Sequence, residues 1–286
     1  MKTKLIYGEQ VIGYEDFLQG NNAHLGWRIA IPSYKRSNTI GSKTLAMLEK
    51  HGVPASKIDI FVANEEERIV YSKAINRNRY ANLIVGVVGM MNIRNFIQSY
   101  YPEGQLLICM DDDLKAVFKI DSQGKKCPVD NLQGLFDYAF SLCKEVGTDY
   151  FGIYAASNTF FMDRTISVGL RYLIGSFWGM RVTHDRFTYV TMHDKEDFER
   201  SVRAYLKCGN VVRLDFISAE SNYYGEKGGM QEERTEERVT TSGLMLMKMF
   251  PQQVVQNTAR KKHFEVKLVE KRERFKHKSK RKFKFM

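Results

Sequence analysis

Apolar and polar positions alternate in blocks through the first half of the chain. Short apolar runs of strand length are each followed by a polar loop and a stretch with helical spacing. Such strand–helix units, with nearly continuous apolar strands, predict a mixed, mostly parallel α/β sheet flanked by helices. In such sheets, ligands bind at the carboxyl ends of the strands. The predicted strands are 27–34, 57–64, 82–89 and 105–110, and the predicted helices are 42–52, 65–78 and 91–101.

The second half is less regular, and we see no interdomain linker in it. We expect an N-terminal extension over 1–26, a main body over 27–258 and a separate C-terminal tail over 259–286. The polar, glycine-containing stretch 222–243 predicts a loop or lid, and 244–255 a short closing helix. The other predicted elements are helix 131–147, strand 150–157, a strand or strand pair over 171–182, helix 195–210 and strand 211–218.

The net charge of +11 is concentrated in the tail. Residues 259–286 contain 13 Lys or Arg and 3 Asp or Glu, whereas 1–258 contain 31 and 30. Such a tract attracts polyanions, although a solvated tail without a partner is the alternative. Phenylalanines between the charges favour nucleic acid, because bases stack on aromatic rings. The residues predicted to bind DNA are Lys261, Lys262, Lys271, Arg272, Arg274, Lys280, Arg281 and Lys282.

Other features narrow the class of protein. The longest apolar run, 83–91, contains two glycines and is far shorter than the roughly 20 residues of a membrane span. The N-terminus has no apolar signal-peptide core, and the four cysteines form no CxxC pair. We therefore expect a cytoplasmic protein without a membrane span, a zinc site or a disulfide framework.

Three adjacent carboxylates, Asp111, Asp112 and Asp113, follow the strand 105–110. Like charges in contact repel one another, so a positive group should lie beside them. Alternation along the segment points Asp111 and Asp113 to one side and Asp112 to the other. Carboxylate oxygens suit Mg²⁺ or Mn²⁺, which could neutralise a departing diphosphate. A solvated acidic turn is the alternative.

Four segments in this order give the chain a family resemblance: RIAIPSYKR, IDIFVANEEE, VVGMMNIRN and LLICMDDD. They resemble the nucleotide-binding half of GT-A glycosyltransferases, including the DxD motif. Within that fold, residues 27–218 are most similar to the DNA-modifying glycosyltransferases related to the base J glucosyltransferase, which are widespread in bacteriophages. The resemblance implies a nucleotide-sugar half over 27–120 and an acceptor half over 121–258. It also implies Mn²⁺ or Mg²⁺, a nucleotide diphosphate sugar (a UDP-sugar as first choice) and, for a phage protein, the host cytoplasm.

The resemblance also assigns donor-binding roles. Residues of the first loop would lie against the base and ribose, those after the second strand would face the base, and those at a helix start would meet the diphosphate. An ordinary helix N-terminus is the alternative for the residues after the second strand, and helix packing is the alternative for those at the helix start. The implied donor-binding residues are Pro32, Ser33, Tyr34, Arg36, Asn64, Glu65, Gly89, Asn92, Arg94, Asp111 and Asp112; Asp111 and Asp113 would bind the metal.

A general base and a third metal ligand complete the implied site. Transfer to a hydroxyl requires removal of its proton, and in the resembling enzymes a carboxylate that opens a helix does this. Asp197 is our choice, with its neighbour Glu196 matching the same motif and Asp194 as a rival; two acids in an ordinary first turn are the alternative. His193 is the candidate third ligand, although a lone histidine is more often structural.

We therefore predict a metal-dependent glycosyltransferase that moves a sugar to the hydroxyl of a modified DNA base, such as 5-hydroxymethylcytosine. Transfer to protein, lipid or polysaccharide is an alternative, as are a nucleotidyltransferase and a non-catalytic DNA-binding protein of the same fold. Aromatic residues in 154–163 and 176–180, including Trp178, would line the acceptor pocket or pack in the core.

Overall fold

The computed structural model describes residues 26–221, 235–259 and 264–270, and the backbone alone of 4–7, 10–13 and 273–274. The helices are α1 Ser37–Ser42, α2 Thr44–Lys50, α3 Glu65–Ala74, α4 Met90–Tyr100, α5 Leu132–Val146, α6 Glu196–Cys208 and α7 Glu236–Met249. The strands are β1 Lys4–Tyr7, β2 Gln10–Gly13, β3 Arg28–Pro32, β4 Ile58–Val62, β5 Asn82–Val85, β6 Leu106–Met110, β7 Leu114–Ile120, β8 Lys126–Pro128, β9 Tyr150–Ile153, β10 Ile166–Val168, β11 Phe177–Arg181, β12 Val212–Leu214, β13 Ile217–Ser221, β14 Val254–Gln256, β15 Val266–Leu268 and β16 Glu273–Arg274.

The main sheet has the strand order β16-β10-β12-β9-β11-β6-β3-β4-β5. Strands β5, β4, β3, β6, β9 and β12 run in one direction, and β11 and β10 run in the other. This arrangement confirms the predicted mixed, mostly parallel α/β sheet flanked by helices. No helix among the described residues is long and apolar enough to cross a membrane.

The central strands are buried on both faces because helices cover each side. Ile29 and Ile31 of β3 pack in one hydrophobic cluster, and Ala30 between them packs in another with Ile93 and Ile97 of α4. This is the two-sided burial that nearly continuous apolar strands predict. The strand–helix order of the first half is confirmed, with α1 added before α2.

Three predicted elements of the second half differ from the structure. Residues 211–218 form two short strands, because the chain turns at 215–216 and passes from the main sheet to a sheet formed by β13, β7 and β8. In 171–182 only Phe177–Arg181 is a strand. Part of the predicted loop, 222–234, lies outside the described residues. The rest is helix: Thr235 caps α7 by accepting a hydrogen bond from the amide of Arg238, and the helix ends two residues before Pro251.

The carboxyl ends of β3, β4, β5 and β6 meet at one edge of the main sheet. The loops that follow these strands bring residues 33–36, 86–89 and 111–113 together at this edge. A hairpin of β14 and β15 packs against α7 and closes the side of the cleft that faces away from β5. The fold thus forms one cleft whose walls come from both halves of the chain.

Candidate active site

The cleft contains two adjoining cavities. The first, called the β3–α4 cavity, lies between the loop after β3 and the start of α4 and is lined by Pro32, Ser33, Tyr34, Gly89 and Asp112, among others. The second, called the central cavity, has a volume of about 660 Å³ and extends towards α6. Arg36, Met90 and Asp111 line both, so the two cavities are parts of one cleft.

A buried threonine fixes the acidic turn after β6. The hydroxyl of Thr44 donates to the carbonyl of Asp111 at 2.8 Å and accepts from the amide of Leu114 at 2.9 Å. The amide of Asp111 donates to the carbonyl of Ser176 at 2.9 Å. The backbone on both sides of the three carboxylates is therefore tied to neighbouring elements.

Asp112 points away from the central cavity into a buried polar cluster. Its carboxylate accepts hydrogen bonds from the hydroxyl of Ser33 and from Nη1 of Arg36, the latter at 3.1 Å. The hydroxyl of Tyr71 contacts Ser33 at 2.7 Å and accepts from the amide of Arg36 at 2.9 Å. Burial raises the pKa of Asp112 to about 6, although these hydrogen bonds and the charge of Arg36 act to lower it. Asp112 thus orders the loop after β3.

Arg94 lies behind Asp111 and supplies a positive charge beside it. Nη2 of Arg94 donates to Oδ1 of Asp111 at 2.8 Å and to the carbonyl of Gly175 at 3.1 Å, and Nε lies 3.4 Å from Oε1 of Glu196. Burial alone would lower the pKa of this guanidinium, but Asp111 and Glu196 raise it above its usual value. Arg94 therefore stays charged and links the acidic turn to the start of α6.

Two arginines lie beside the three carboxylates: Arg36 beside Asp112 and Asp113, and Arg94 beside Asp111. Asp111 and Asp113 line the central cavity, as alternation along the chain predicts for this pair. The Asp111 side chain is 30% exposed, and no hydrogen bond from a described residue reaches its Oδ2. Carboxylate oxygens that line a cavity fit Mg²⁺ or Mn²⁺, which bind through one or two carboxylates plus substrate phosphates.

A third protein ligand is not part of this arrangement. In the described part of the chain, no group of three or more His, Cys, Asp or Glu residues is placed to hold a metal ion. The predicted trio of Asp111, Asp113 and His193 is therefore not assembled, although His193 does line the central cavity. Its ring packs against Gly89, where a Cβ atom would come within 2.9 Å of Cε1. This contact gives His193 a packing role beside the start of α4.

Asp197 lines the central cavity from the first turn of α6. Its Oδ1 accepts from the amide of Phe198 at 2.9 Å, and its Oδ2 accepts from the hydroxyl of Tyr172. Burial raises the pKa of Asp197 to about 6, and the adjacent charge of Glu196 also raises it, whereas Tyr172 and Arg200 act in the opposite direction. A carboxylate with a pKa near neutrality, facing a cavity, has the properties of a general base.

Several residues implied by the resemblance lie outside the lining of both cavities. Asn64 caps α3 by accepting from the amide of Glu67, and the exposed Glu65 pairs with Arg68. Asn92 is exposed and donates to the carbonyl of Val88. The structure therefore shows the helix-terminus alternative at Asn64 and Glu65, and does not bring these three residues to the lining of either cavity.

Two other candidates have structural partners. Asp194, the rival base, lines the central cavity but is buried and pairs with Arg238 at 3.1 Å. Trp178 is buried in β11 with the guanidinium of Arg200 stacked 4.0 Å from its ring centre, as the core alternative predicts. The structure thus favours Asp197 over Asp194, because Asp197 lines the central cavity without an ion pair among the described residues.

Sequence reasoning missed the residues that support the acidic turn and Asp197. Thr44 bonds to the backbone of Asp111, and Tyr172 bonds to the carboxylate of Asp197; these partners are 67 and 25 positions away along the chain. No motif marks them, because these contacts form only when the sheet is assembled. For Tyr172 the sequence offers only a general signal, in the segment RYLI (171–174): a tyrosine next to an arginine in an apolar stretch indicates polar groups that need partners inside the fold.

The tail begins beside the cleft. Glu270 accepts from the amide of Tyr172 at 3.0 Å, and the backbone of Arg274 pairs with Ser167 of β10. The other predicted DNA-binding residues, Lys261, Lys262, Lys271, Arg272, Lys280, Arg281 and Lys282, lie outside the described residues, as does the Arg274 side chain.

Comparison with known proteins finds no matching family model and no matching curated protein. Solved structures to which the chain is similar include S. aureus TarS 1–349, at 16% identity over 78% of this chain and 66% of that one, with a TM-score of 0.46. The chain spans 40% of a longer TarS structure. Glucosyl-3-phosphoglycerate synthase from Mycobacterium tuberculosis, in complex with Mn²⁺, UDP-glucose and phosphoglyceric acid, matches at 8% identity over 93% of this chain and 92% of that one, with a TM-score of 0.46.

A mannosyltransferase from Pyrobaculum calidifontis, in complex with GDP-mannose and Mn²⁺, matches at 11% identity over 59% of this chain and 50% of that one, with a TM-score of 0.36. At these levels of identity and structural overlap, the comparisons assign no substrate and no residue role to this chain. The functional argument therefore rests on the geometry of the cleft.

Proposed function

We propose that this chain is a metal-dependent glycosyltransferase that transfers a sugar from a nucleotide diphosphate sugar to a hydroxyl of a modified DNA base. One observation carries the proposal. A single cleft joins the β3–α4 cavity to two carboxylates that line the central cavity, Asp111 and Asp113, and then to the half-buried carboxylate of Asp197, which has a pKa of about 6. This is the order in which a nucleotide, its diphosphate and an acceptor hydroxyl would have to lie.

The nucleoside of the donor would occupy the β3–α4 cavity. Tyr34 and Pro32 offer apolar surface to a base, and Phe61 and Ile93 form the floor. The loop that carries Tyr34 is held by the hydrogen bonds between Ser33 and Asp112. The diphosphate would then lie over Asp111, where both cavities meet.

Asp111 and Asp113 would hold Mn²⁺ or Mg²⁺ together with the diphosphate oxygens. The ion would act as a Lewis acid that neutralises the departing nucleotide diphosphate. Arg36 lines both cavities and lies 3.8 Å from Asp113, so its charge is also available to the diphosphate. A UDP-sugar is our first choice of donor.

Asp197 would accept the proton of the acceptor hydroxyl. As that proton leaves, the hydroxyl oxygen bonds to the anomeric carbon of the sugar, and the bond from this carbon to the diphosphate breaks. With a pKa of about 6, Asp197 is mostly ionised at neutral pH and is still basic enough to take the proton. The Tyr172 hydroxyl holds the carboxylate in place towards the cavity.

The basic tail favours DNA as the acceptor. Thirteen Lys or Arg within 259–286 would neutralise phosphates, and phenylalanines between them would stack on bases. The tail also starts at the acceptor side of the cleft, because Glu270 contacts Tyr172, whose hydroxyl bonds to Asp197. DNA bound by the tail would therefore lie close to the proposed base.

Mass spectrometry of DNA tests this proposal directly. Duplexes that contain 5-hydroxymethylcytosine, 5-hydroxymethyluracil or only unmodified bases are incubated with the protein, Mn²⁺ or Mg²⁺, and a panel of nucleotide sugars. We expect a mass increase of one sugar on a hydroxylated duplex alone. Addition of a nucleotide instead, or transfer only to a non-nucleic-acid acceptor, would contradict the proposal.

The variant Asp113→Asn separates catalysis from DNA binding. It should abolish sugar transfer but keep salt-dependent DNA binding, since the tail is unchanged. Asp130→Asn is the matched control, because Asp130 is an exposed carboxylate paired with Lys119, near the end of β7 that is farther from the turn. Full transfer activity in Asp113→Asn would show that this carboxylate has no part in the reaction.

A further inference from the structure

Helix α3 buries very little of its own surface. Tyr71 is its only buried residue, whereas Ile69 and Val70 are 44% and 51% exposed. The strand that follows this helix, β5, is the last in the order of the main sheet among the described residues. The helix therefore lies at a margin of the fold, and it presents two adjacent apolar side chains to solvent.

Four exposed residues form one stripe along the outer side of this helix, called the α3 stripe. They are spaced i, i+3, i+4 and i+7 and therefore share a helix face; in order they are Glu66, Ile69, Val70 and Lys73. Along the α3 stripe the side chains change from an acid, through two apolar groups, to a base. Neither Glu66 nor Lys73 has an ion pair or a side-chain hydrogen bond with another described residue.

The α3 stripe is complementary to itself. When two copies of a helix pack antiparallel about a twofold axis, residues equally far from the axis on its two sides lie opposite each other. An axis between positions 69 and 70 places Ile69 of one copy against the partner's Val70. The same axis places Glu66 against the partner's Lys73, and Lys73 against the partner's Glu66. Unlike charges would therefore pair on both sides of an apolar centre.

A second stripe in this protein has the same spacing but lacks this complementarity. On α7, Leu244 and Met245 are 53% and 48% exposed, and the flanking positions are occupied by Thr241 and Lys248. Antiparallel packing of two such helices would place each lysine against a threonine, so no unlike charges would pair. An exposed apolar pair is therefore not enough, and the charges are what distinguish α3.

Other residues of α3 bond to the loop after β3. Glu67 accepts from the amide of Lys35 at 2.8 Å, and the hydroxyl of Tyr71 accepts from the amide of Arg36 at 2.9 Å. Neither residue belongs to the α3 stripe, and none of the four stripe residues lines the β3–α4 cavity or the central cavity. Changes within the stripe therefore leave these bonds and the lining of the cleft intact.

We infer that the α3 stripe docks a second copy of this chain, in a twofold dimer in which the two α3 helices pack antiparallel. The inference does not depend on the proposed function. A helix of ten residues is about 15 Å long, so this contact buries less than the roughly 800 Å² per partner of a standard interface. The dimer should therefore be weak and concentration-dependent, with a dissociation constant of about 10–100 µM.

Charge reversal gives a test that only self-association through this stripe satisfies. Glu66→Lys and Lys73→Glu each place like charges opposite each other twice, so each variant alone should dissociate with a constant about tenfold above wild type or higher. An equimolar mixture of the two restores both unlike pairs in the heterodimer and should associate as wild type does. Analytical ultracentrifugation of nucleic-acid-free protein at about 1–500 µM measures the mass. A wild-type monomer throughout this range, or a mixture that associates no better than either variant, would overturn the inference.

Replacement of the apolar centre gives a second test with a matched control. Ile69→Ser combined with Val70→Ser should abolish association over the same concentration range, whereas Leu244→Ser combined with Met245→Ser on α7 should leave it unchanged. Equal loss in both double variants would show nonspecific association of apolar surface and contradict the inference. Hydrogen exchange of α3 that is slow in a monomer and becomes fast when residues 271–286 are removed would identify the basic tail as the occupant, which would also overturn the inference.

Discussion

Replacement of Tyr172 by Phe should move the acidic limb of the pH–rate profile to higher pH. The Tyr172 hydroxyl donates to Oδ2 of Asp197, and this bond lowers the pKa of a carboxyl that burial and Glu196 raise to about 6. Phenylalanine keeps the ring that packs on Phe198 at 4.5 Å but cannot donate a hydrogen bond. The change therefore removes one stabilising interaction from the ionised form of the proposed base.

The size of the shift follows from the strength of this bond. A hydrogen bond to a charged group contributes about 1.5–3 kcal/mol, and one pKa unit corresponds to about 1.36 kcal/mol. The pKa of Asp197 should therefore rise by about one to two units, to about 7–8. The base works in its ionised form, so a higher pKa moves the lower limit of activity upwards. The rate should fall about two- to tenfold at pH 7 and little at pH 9.

The assay is sugar transfer to a hydroxylated duplex at saturating donor, measured between pH 5 and 9. Tyr189→Phe is the matched control, because its hydroxyl also contacts one side chain, Ser99 at 2.8 Å, but lies outside the cavities. Glu196→Gln should shift the same limb in the opposite direction, since it removes a negative charge that raises the pKa of Asp197. An equal reduction in rate at every pH in Tyr172→Phe would refute the assignment of Asp197 as the base.

Two further predictions concern the acidic turn and the tail. Thr44→Val leaves the carbonyl of Asp111 and the amide of Leu114 without their buried partner, so the free energy of unfolding should fall by about 1–3 kcal/mol and the affinity for the nucleotide sugar should weaken. Denaturant titration measures the first effect and calorimetry the second, with Thr241→Val on the exposed face of α7 as the control. Unchanged affinity for the nucleotide sugar would contradict the role of the turn. Replacement of the six basic residues of 276–284 by serine leaves β15 and β16 unchanged. DNA affinity should then depend less steeply on salt: the slope of log K against log salt concentration should become shallower by about 0.9 for each phosphate that is no longer neutralised. The same slope as wild type would remove the main argument for DNA.

The alternating half of the fold was predictable because its information is local. Each strand from β3 to β6 is a short apolar run, and each helix between them has its own spacing and ends. The split of 211–218 into β12 and β13 was not predictable. Both pieces are apolar, and the sequence does not show that Leu214 belongs to the main sheet whereas Ile217 pairs with β7.

The candidate site, like the fold, was predictable only where the information lies in one short stretch of the sequence. The acidic turn was visible because three carboxylates at the end of a buried strand are locally unusual. Their positive partners were not visible: Arg94 was expected to face the donor at a helix start but is buried between Asp111 and Glu196. Pairings that connect α4, β6 and α6 depend on the assembled sheet, and no spacing along the chain indicates them.

Crystals grown with Mn²⁺ and a nucleotide sugar would test the central claim most directly, through the anomalous signal of manganese. The account predicts a peak in the cleft, bonded to Asp111 or Asp113 and to the diphosphate, with the nucleoside beside Tyr34. A nucleotide sugar bound in the cleft with manganese absent from both carboxylates, or bound elsewhere on the protein, would contradict it.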